Sequence, residues 1–392
     1  MLFVNLNSQI HGHQASLADA MYSQLGDNFY FIEFGNNSRQ YGSFSGSSKG
    51  VDYYKGRPYI LKMYESAENE QFAKELIAKA DVMRTGGEPF ELVKERIMAG
   101  KLTFRSTERY FKGPAYKDLF RVRALFPYLK YAHPNYRILC QSAYMANDLS
   151  LLGNLYRERC YKFAYFTQIQ EIEIEKVIER RNKEKIQIVW CARFIDWKHP
   201  ELPLALAKRL LESGRVKFEI QMIGANTTPL WQEINKQVKK EKLENHVILT
   251  GGIPNLEVLE RMRKSHIFIF TSDRGEGWGA VLNEAMGAGC ACVASNEIGS
   301  VPFLLKNKEN GLIFKSCSAE SLFEKVSYLY DNPQMCEEYG KKAYHTISTE
   351  WSARLAAERL VKLSETILSG NEISFESGPC SKAYPINTNG LI

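Results

Sequence analysis

Residues 271–295 read TSDRGEGWGAVLNEAMGAGCACVAS, and this stretch decides the fold of the second half of the chain. The run HIFIF at residues 266–270 precedes it and is typical of a buried strand. A polar loop with three glycines follows, then a helix-like segment at 280–288 and a second apolar run at 290–294. A strand, a glycine loop, a helix and a strand in this order predict the βαβ unit that places a helix N-terminus beside a ligand phosphate.

The same alternation of short strands and helices extends over residues 186–349 and predicts a parallel sheet covered by helices on both faces. Residues 1–170 alternate less regularly, and we expect a second Rossmann-like domain there, completed by a helix within 350–369. Residues 167–185 are rich in Glu, Lys and Arg and contain the predicted boundary. Residues 371–392 hold Gly, Pro, Ser and Asn with little periodicity, which predicts a loose tail.

Length and composition limit the function classes. A chain of 392 residues suits two domains, and 24% charged residues with 44% hydrophobic ones are typical of a globular protein. We find no apolar run approaching the roughly 18 residues of a membrane span and no pattern of a signal peptide. The eight cysteines form no CxxC pair, which predicts free thiols in a reducing cytoplasm and no metal site.

The positive charge is concentrated in residues 84–137, where twelve Lys and Arg stand against five Asp and Glu. Aromatic residues alternate with these charges, which suits peripheral contact with the inner face of a membrane better than a purely ionic partner. A solvated helical face is the alternative reading. Nothing in the region resembles a nucleic-acid-binding module, so we expect no nucleic acid partner.

Two carboxylates, Glu276 and Glu284, lie eight residues apart across the glycine loop. On a single helix they would be about 12 Å apart along the axis. The glycines instead place Glu276 in the loop and Glu284 about one turn inside the helix. Glu284 would then accept two charge-assisted hydrogen bonds from a ribose diol, and Glu276 would face the opposite end of the ligand. The alternative is that Glu284 is an ordinary helix surface residue and the glycines only make a turn.

Two cations, Arg193 and Lys198, follow the apolar strand at 186–191 and precede a helix. Cations at the carboxyl end of a strand suit a diphosphate, because ligands of open α/β sheets bind at that edge. A surface loop with common charges is the alternative for this pair taken alone.

Several blocks, in order, resemble the retaining glycosyltransferases of family 4, which belong to the group 1 glycosyl transferases and have the GT-B fold. The resemblance covers residues 186–350, and its most specific element is the pair Glu276 and Glu284. It rests on CARFIDWKHPELPLALAKRL (191–210), FEIQMIGAN (218–226), NHVILTGGIPNLEVLERM (245–262), the stretch at 271–295, IGSVPFLL (298–305) and NGLIF (310–314). It implies an α/β fold of two Rossmann-like βαβ domains facing across a cleft.

The resemblance also implies an activity and a set of site residues. The donor would be a nucleotide diphosphate sugar of the UDP or GDP type, used as co-substrate without a cofactor or metal ion, and the sequence has no Asp-x-Asp metal motif. Glu284 would hold the ribose, while Arg193 and Lys198 would neutralise the diphosphate and the growing leaving-group charge. The donor sugar and phosphates would be bound by Glu276, Gly277, Trp278 and Gly279 and by the backbone N–H groups up to Ala280 and Val281.

The N-terminal half departs from the family pattern. The family has a Gly-Gly loop after the first strand, whereas the loop here, residues 7–13, has only Gly12. Gly12 would let the backbone approach a phosphate or the acceptor, or would form an ordinary turn. Many members place a histidine of this half near the donor sugar, and His11, His13 and His133 are the candidates here. The string GKLTFRSTERYFK at 100–112 resembles a segment of some bacterial surface-polysaccharide transferases.

The leading hypothesis is therefore a hexosyltransferase-type enzyme that moves a sugar to a glycan, lipid-linked or protein acceptor in surface polysaccharide or glycoconjugate synthesis. The altered loop at residues 7–13 motivates an alternative, a catalytically weak GT-B partner or binding protein. A sugar-nucleotide epimerase with the same fold is a further alternative. A dehydrogenase is disfavoured because no G-x-G-x-x-G follows the first strand.

Overall fold

The computed structural model describes residues 1–35, 53–87, 90–113 and 121–392 and divides the chain into two compact units. The N-terminal unit comprises Met1–Gln168 and Glu350–Ile386, and the C-terminal unit comprises Ile169–Thr349 and Asn387–Ile392. The sequence prediction placed these bounds at residues 170, 186 and 349. Part of the basic aromatic region, residues 88–89 and 114–120, lies outside the described residues.

The N-terminal unit contains a parallel sheet of seven strands in the order β3-β2-β1-β4-β5-β6-β7. The order reverses between β1 and β4, which makes their carboxyl ends the topological switch point of this unit. The strands are β1 (Phe3–Asn7), β2 (Phe29–Glu33), β3 (Ile60–Lys62), β4 (Val82–Gly86), β5 (Leu102–Thr107), β6 (Tyr136–Cys140) and β7 (Cys160–Lys162).

Helices cover this sheet. The helix Ala353–Leu368, from the far end of the sequence, packs on the helix Gly12–Leu25, so the C-terminal segment completes the N-terminal unit. The helices of the unit's described residues are Gly12–Leu25, Ala67–Lys79, Lys94–Met98, Phe126–Lys130, Met145–Ser150 and Ala353–Leu368.

The C-terminal unit contains a parallel sheet of six strands in the order β10-β9-β8-β11-β12-β13. Its order reverses between β8 and β11, so the loops after these two strands meet at the switch point. The strands are β8 (Ile186–Cys191), β9 (Phe218–Ile223), β10 (Val247–Gly251), β11 (Ile267–Phe270), β12 (Ala291–Ser295) and β13 (Leu312–Phe314).

Both faces of this sheet are covered, and every residue of β11 and β12 is buried, as continuous apolar runs predict for a doubly covered parallel sheet. Side-chain hydroxyls of Thr228, Ser318 and Ser352 cap three of the chain's longer helices, which satisfies backbone N–H groups that have no helical partner. The helices of the C-terminal unit are Ile174–Glu179, Glu201–Glu212, Pro229–Lys240, Asn255–Lys264, Val281–Gly287, Val301–Leu304, Ala319–Asp331 and Pro333–His345.

No helix among the described residues has both the length and the apolarity that crossing a bilayer needs.

The prediction of a loose tail over residues 371–392 is wrong for residues 378–386. Cys380, Ser381 and Ala383 are buried, and Lys382 pairs antiparallel with Tyr161 of β7. Three backbone hydrogen bonds join this segment to the last strand: Lys162 N to Ser381 O (2.7 Å), Cys380 N to Lys162 O (2.8 Å) and Ala383 N to Cys160 O (2.9 Å). The segment thus covers an otherwise open sheet edge, a pairing that local composition does not encode.

We predict that truncation after Gly378 destabilises the N-terminal unit, whereas truncation after Ile386 leaves its sheet intact. The shorter chain loses three hydrogen bonds worth about 1 kcal/mol each, so its free energy of unfolding should fall by about 3 kcal/mol. Hydrogen exchange of the Lys162 amide should accelerate in that chain alone. Equal protection of this amide in both truncated chains would contradict the packing described here.

Candidate active site

The loops after β8 and β11 are joined by a hydrogen-bond relay through buried side chains. The indole N–H of Trp190, in β8, donates to the hydroxyl of Thr271 (2.8 Å), and that hydroxyl donates to the backbone carbonyl of Lys198 (2.6 Å). Trp190 and Thr271 are both buried. The relay therefore fixes the turn at Asp196–Lys198 against the first residue of the glycine loop.

The ammonium group of Lys198 forms an ion pair with the carboxylate of Glu276, across these two loops. Both side chains are only 10% exposed. The hydroxyl of Ser272 donates to the same carboxylate oxygen at 3.0 Å, and the Lys198 ammonium lies 4.3 Å from the centre of the Trp197 ring. The family resemblance assigned Lys198 to the diphosphate and Glu276 to the sugar of the donor, and the structure places the two groups in direct contact.

The other predicted cation of this loop, Arg193, is exposed. Its guanidinium lies 5.9 Å from the centre of the Trp197 ring, on which the Lys198 ammonium also lies. Both cations therefore lie beside one indole at the carboxyl end of β8, where Glu276 offsets the charge of Lys198.

Glu284 is half-buried in the first turn of the helix Val281–Gly287. Burial raises the pKa of its carboxyl group to about 7, and a hydrogen bond with Asn255 opposes the shift. Cys191 is the last residue of β8, and burial raises the pKa of its thiol to about 12. The charge of Glu284 raises this pKa further, and the charge of Lys198 lowers it. Glu284 and Lys198 therefore lie around the same strand end.

Trp278 requires a correction, because its side chain is fully buried. The indole N–H donates to the side-chain oxygen of Asn283 at 2.9 Å, and the ring centre lies 6.3 Å from that of Phe303. The ring thus anchors the glycine loop to the following helix and offers no face to a ligand. Only the backbone of Trp278 remains available for the predicted donor contact.

The backbone of Gly279 has a φ of 89°, in the region that favours glycine. A Cβ at this position would lie 2.5 Å from the Phe270 ring, so the loop approaches β11 too closely for any side chain. Ala280 precedes the helix, which begins at Val281, two residues after Gly279. In its first turn the N–H group of Leu282 donates to the carbonyl of Gly279 at 3.0 Å, so the helix start closes back onto the glycine loop.

In the N-terminal unit, Gly12 is the first residue of the helix that follows β1, and a Cβ there would lie 3.0 Å from the Tyr53 hydroxyl. His11 and His13 flank it at the switch point of this unit, with ring centres 5.3 Å apart. Burial, and then the charge of His13, lower the pKa of His11 to about 4; burial lowers the pKa of His13 as well. Both imidazoles are therefore neutral at physiological pH.

His133 lies elsewhere, since it precedes β6 and so belongs to the amino-end edge of the sheet. Its Nδ1 accepts a hydrogen bond from the backbone N–H of Asn135 at 3.1 Å, and its ring would be 2.9 Å from a Cβ on Gly100. His133 therefore shapes the turn before the strand. His133 thus lies at the opposite edge of the sheet from His11 and His13, which follow a strand. The residue type alone does not distinguish these histidines.

Two arginines of the basic region are internal. Arg84 is buried and donates to Ser106 Oγ (2.8 Å) and Asn5 Oδ1 (3.0 Å) within the sheet. Arg96 is buried and donates to four backbone carbonyl groups, Ile77, Ala80, Asp81 and Leu102. The surface charge of residues 84–137 is therefore smaller than the composition indicates.

Residues 171–346, within the C-terminal unit, match the family model of the glycosyl transferases group 1. The chain is 23% identical over 209 residues to the uncharacterized glycosyltransferase MJ1069 of Methanocaldococcus jannaschii, a match covering 53% of this chain and 52% of that protein. It is 28% identical over 141 residues to the exopolysaccharide phosphotransferase SCO2592 of Streptomyces coelicolor, covering 36% of this chain and 14% of that protein. The chain thus matches about half or less of these relatives' length.

Solved structures resemble this chain over most of its length. HepE (Alr3699) of Anabaena, in complex with UDP and glucose, has a TM-score of 0.62 at 14% identity, with 92% of this chain and 98% of that chain covered. A glycosyltransferase of Rickettsia africae has a TM-score of 0.65 at 16% identity, with 94% of this chain and 99% of that chain covered. The sucrose-phosphate synthase of Thermosynechococcus elongatus has a TM-score of 0.65 at 13% identity, with 95% of this chain and 100% of that chain covered.

The buried ion pair generates a stability prediction. Lys198→Met or Glu276→Leu leaves a buried charge without its partner, so each single change should lower the free energy of unfolding by about 3 kcal/mol. The double variant should lose less than the sum, with a coupling energy of about 1–3 kcal/mol in denaturant titrations. Additive losses would show that the two charges do not interact.

The two parallel-sheet, Rossmann-like units form the GT-B fold shared with solved glycosyltransferases, as the sequence predicts. The family match over 171–346 supports a glycosyltransferase of the group 1 type.

Proposed function

We propose that this chain is a retaining, family 4-type hexosyltransferase that uses a nucleotide diphosphate sugar as donor. The observation that carries the proposal is the arrangement at the switch point of the C-terminal sheet. There, Lys198 and Glu276 pair across the loops after β8 and β11, and Glu284 lies at the same strand end. In open α/β sheets this is the edge at which nucleotides bind. NMR of the product's anomeric proton distinguishes retention from inversion.

A donor of the UDP or GDP type fits the order of groups along this edge. The half-buried carboxylate of Glu284 accepts hydrogen bonds from the ribose diol, and the N–H groups of residues 277–281 face the diphosphate. Structures of the similar Anabaena protein HepE contain UDP and UDP-glucose, which supports a uridine nucleotide here. The reaction uses the nucleotide sugar as co-substrate and needs no cofactor.

Bond cleavage at the anomeric carbon leaves negative charge on the nucleotide diphosphate. Lys198 and Arg193 provide the positive charge that offsets it, and this help grows as the leaving-group charge grows. Glu276 holds the Lys198 ammonium in place, and we assign its carboxylate to hydroxyl groups of the donor sugar. The contacts of Trp278 are limited to its backbone because its ring is buried. In the N-terminal unit, Gly12 and the neutral imidazoles of His11 and His13 lie together at the switch point of that sheet, the edge at which ligands of open α/β sheets bind.

We predict that Glu284→Ala abolishes the contribution of the ribose hydroxyls to nucleotide binding. Two hydrogen bonds to a charged group are worth about 3 kcal/mol or more, so UDP should bind the wild-type chain roughly 100-fold more tightly than it binds the variant. Calorimetry with UDP and 2′,3′-dideoxy-UDP completes the cycle: the wild type should discriminate between the two nucleotides and Glu284→Ala should not.

The exposed Glu309 of the same unit provides the control, and Glu309→Ala should behave as wild type. Hydroxyl donors favour the ionised form of Glu284, whose pKa is about 7 in the free protein. The preference for UDP over its dideoxy analogue should therefore rise between pH 6 and pH 8. If Glu284→Ala keeps the wild-type preference, another residue binds the ribose.

We also propose that the acceptor is a glycan, lipid-linked or protein-linked sugar of surface polysaccharide or glycoconjugate synthesis, reached by peripheral docking on a membrane. Residues 122–130 form a helical segment whose inward side chains, Leu125 and Tyr128, are buried. Its outward side chains Val122, Phe126 and Leu129 are 39%, 59% and 57% exposed. The exposed cations Arg121, Arg123 and Lys130 stand beside them. Apolar and basic groups on one helical face suit the interface of an anionic bilayer.

This docking face predicts that Phe126→Ser/Leu129→Ser weakens binding to vesicles of anionic lipid by about 10- to 100-fold, because two partly inserted apolar side chains are lost. The matched control is Leu256→Ser, which removes a side chain that is 71% exposed on the helix Asn255–Lys264. Binding of the wild type should also weaken from low to high salt. If the double variant binds these vesicles as strongly as the wild type does, this helical face is not the membrane contact.

A further inference from the structure

Three loops at the carboxyl ends of β8, β11 and β13 bring together His199, Asp273 and Cys317, all within the C-terminal unit. His199 Nε2 lies 3.2 Å from Asp273 Oδ2 and 3.3 Å from Cys317 Sγ. The three potential ligand atoms all lie within 4.8 Å of one another. An imidazole nitrogen, a carboxylate oxygen and a thiol sulfur thus converge on one point from segments 74 and 44 residues apart.

The two separations from His199 Nε2 fit a tetrahedral zinc ion. With Zn–N and Zn–O distances of about 2.0–2.1 Å and a Zn–S distance of about 2.3 Å, tetrahedral angles set N···O at about 3.3 Å and N···S at about 3.6 Å. The two distances to His199 Nε2 are each within about 0.3 Å of these values. Imidazole, thiolate and carboxylate together suit Zn²⁺ better than the oxygen-seeking Mg²⁺ or Ca²⁺.

The ligand groups are also oriented from behind, as in known zinc sites. The other imidazole nitrogen, His199 Nδ1, lies 2.8 Å from the carboxylate of Glu201, which fixes the ring and leaves Nε2 to face the cluster. The other oxygen of Asp273 accepts a hydrogen bond from the backbone N–H of Gly275 at 2.7 Å. Each of these two ligands therefore has an outer partner that leaves one atom directed at the common point.

We propose that His199, Asp273 and Cys317 form a zinc site in which the fourth coordination position has no protein ligand. Cys317 is exposed and the His199 side chain is 20% exposed, so the fourth position opens to solvent and takes a water molecule. Binding displaces the protons carried by Nε2 and the thiol, which are released to solvent as the two metal bonds form. The sequence predicted no metal site because these ligands show no local spacing.

The position of the site gives it a structural consequence. His199 follows Lys198 directly, and Asp273 lies three residues before Glu276. A bound zinc ion would therefore join the same two loops that the Lys198–Glu276 ion pair joins, and would add the loop after β13. It acts on the positions of these residues and takes no part in bond cleavage, so the zinc site stands or falls independently of the proposed transferase activity.

The test uses the full chain, stripped of metal with a chelator and titrated with Zn²⁺ or Co²⁺ alone. We expect one zinc ion per chain, a higher melting temperature, and with Co²⁺ the near-ultraviolet band of a cobalt–thiolate bond. Cys317→Ser should lose that band and weaken zinc binding strongly. Glu201→Ala, which removes only the outer partner of His199, should weaken it about 10- to 100-fold.

His345→Ala is the matched control, because His345 is an exposed histidine in the last turn of the helix Pro333–His345 in the same unit. It should bind zinc as the wild type does. Melting curves of the metal-free variants show whether each remains folded. The proposal is overturned if the wild type binds no stoichiometric zinc, or if Cys317→Ser binds zinc with unchanged affinity and an unchanged cobalt spectrum.

Discussion

The buried ion pair between Lys198 and Glu276 joins the two loops on which the candidate site is built. Each loop follows a strand beside the point where the order of the C-terminal sheet reverses, so the sheet brings both to one edge. The relay from Trp190 through Thr271 to the Lys198 carbonyl fixes the backbone beneath the pair. A buried charge that loses its partner destabilises the fold. A movement of either loop that separates the two groups would therefore cost the protein stability.

From this pair the rest of the site follows in steps. Gly279 allows the chain to pass closely over Phe270, and the buried ring of Trp278 anchors the loop to Asn283. The helix then begins at Val281 and carries Glu284 into a half-buried position where its pKa is about 7. A carboxylate in this state gains most from hydroxyl donors, which is the physical reason for assigning it to the ribose.

The strands and helices of the C-terminal unit were predictable, because buried parallel strands are continuous apolar runs and their helices are short and regular. The location of Arg193, Lys198, Glu276 and Glu284 at strand ends followed from the same pattern. Their mutual contacts did not, since a loop sequence does not state which charges meet. The family resemblance assigned Trp278 to the donor sugar, but the burial of its ring depends on Asn283 and Phe303, which the motif does not include. The pairing of residues 380–383 with β7 and the meeting of His199 with Cys317 are long-range contacts of the same kind.

The central claim is that the edge between β8 and β11 binds a nucleotide diphosphate. A crystal structure of the chain with UDP tests it most directly. The account predicts the ribose hydroxyls within hydrogen-bond distance of the Glu284 carboxylate and the diphosphate over the N–H groups of residues 277–281, with Lys198 on the same side. Nucleotide bound elsewhere on the chain, with Glu284 facing away from it, would contradict the account.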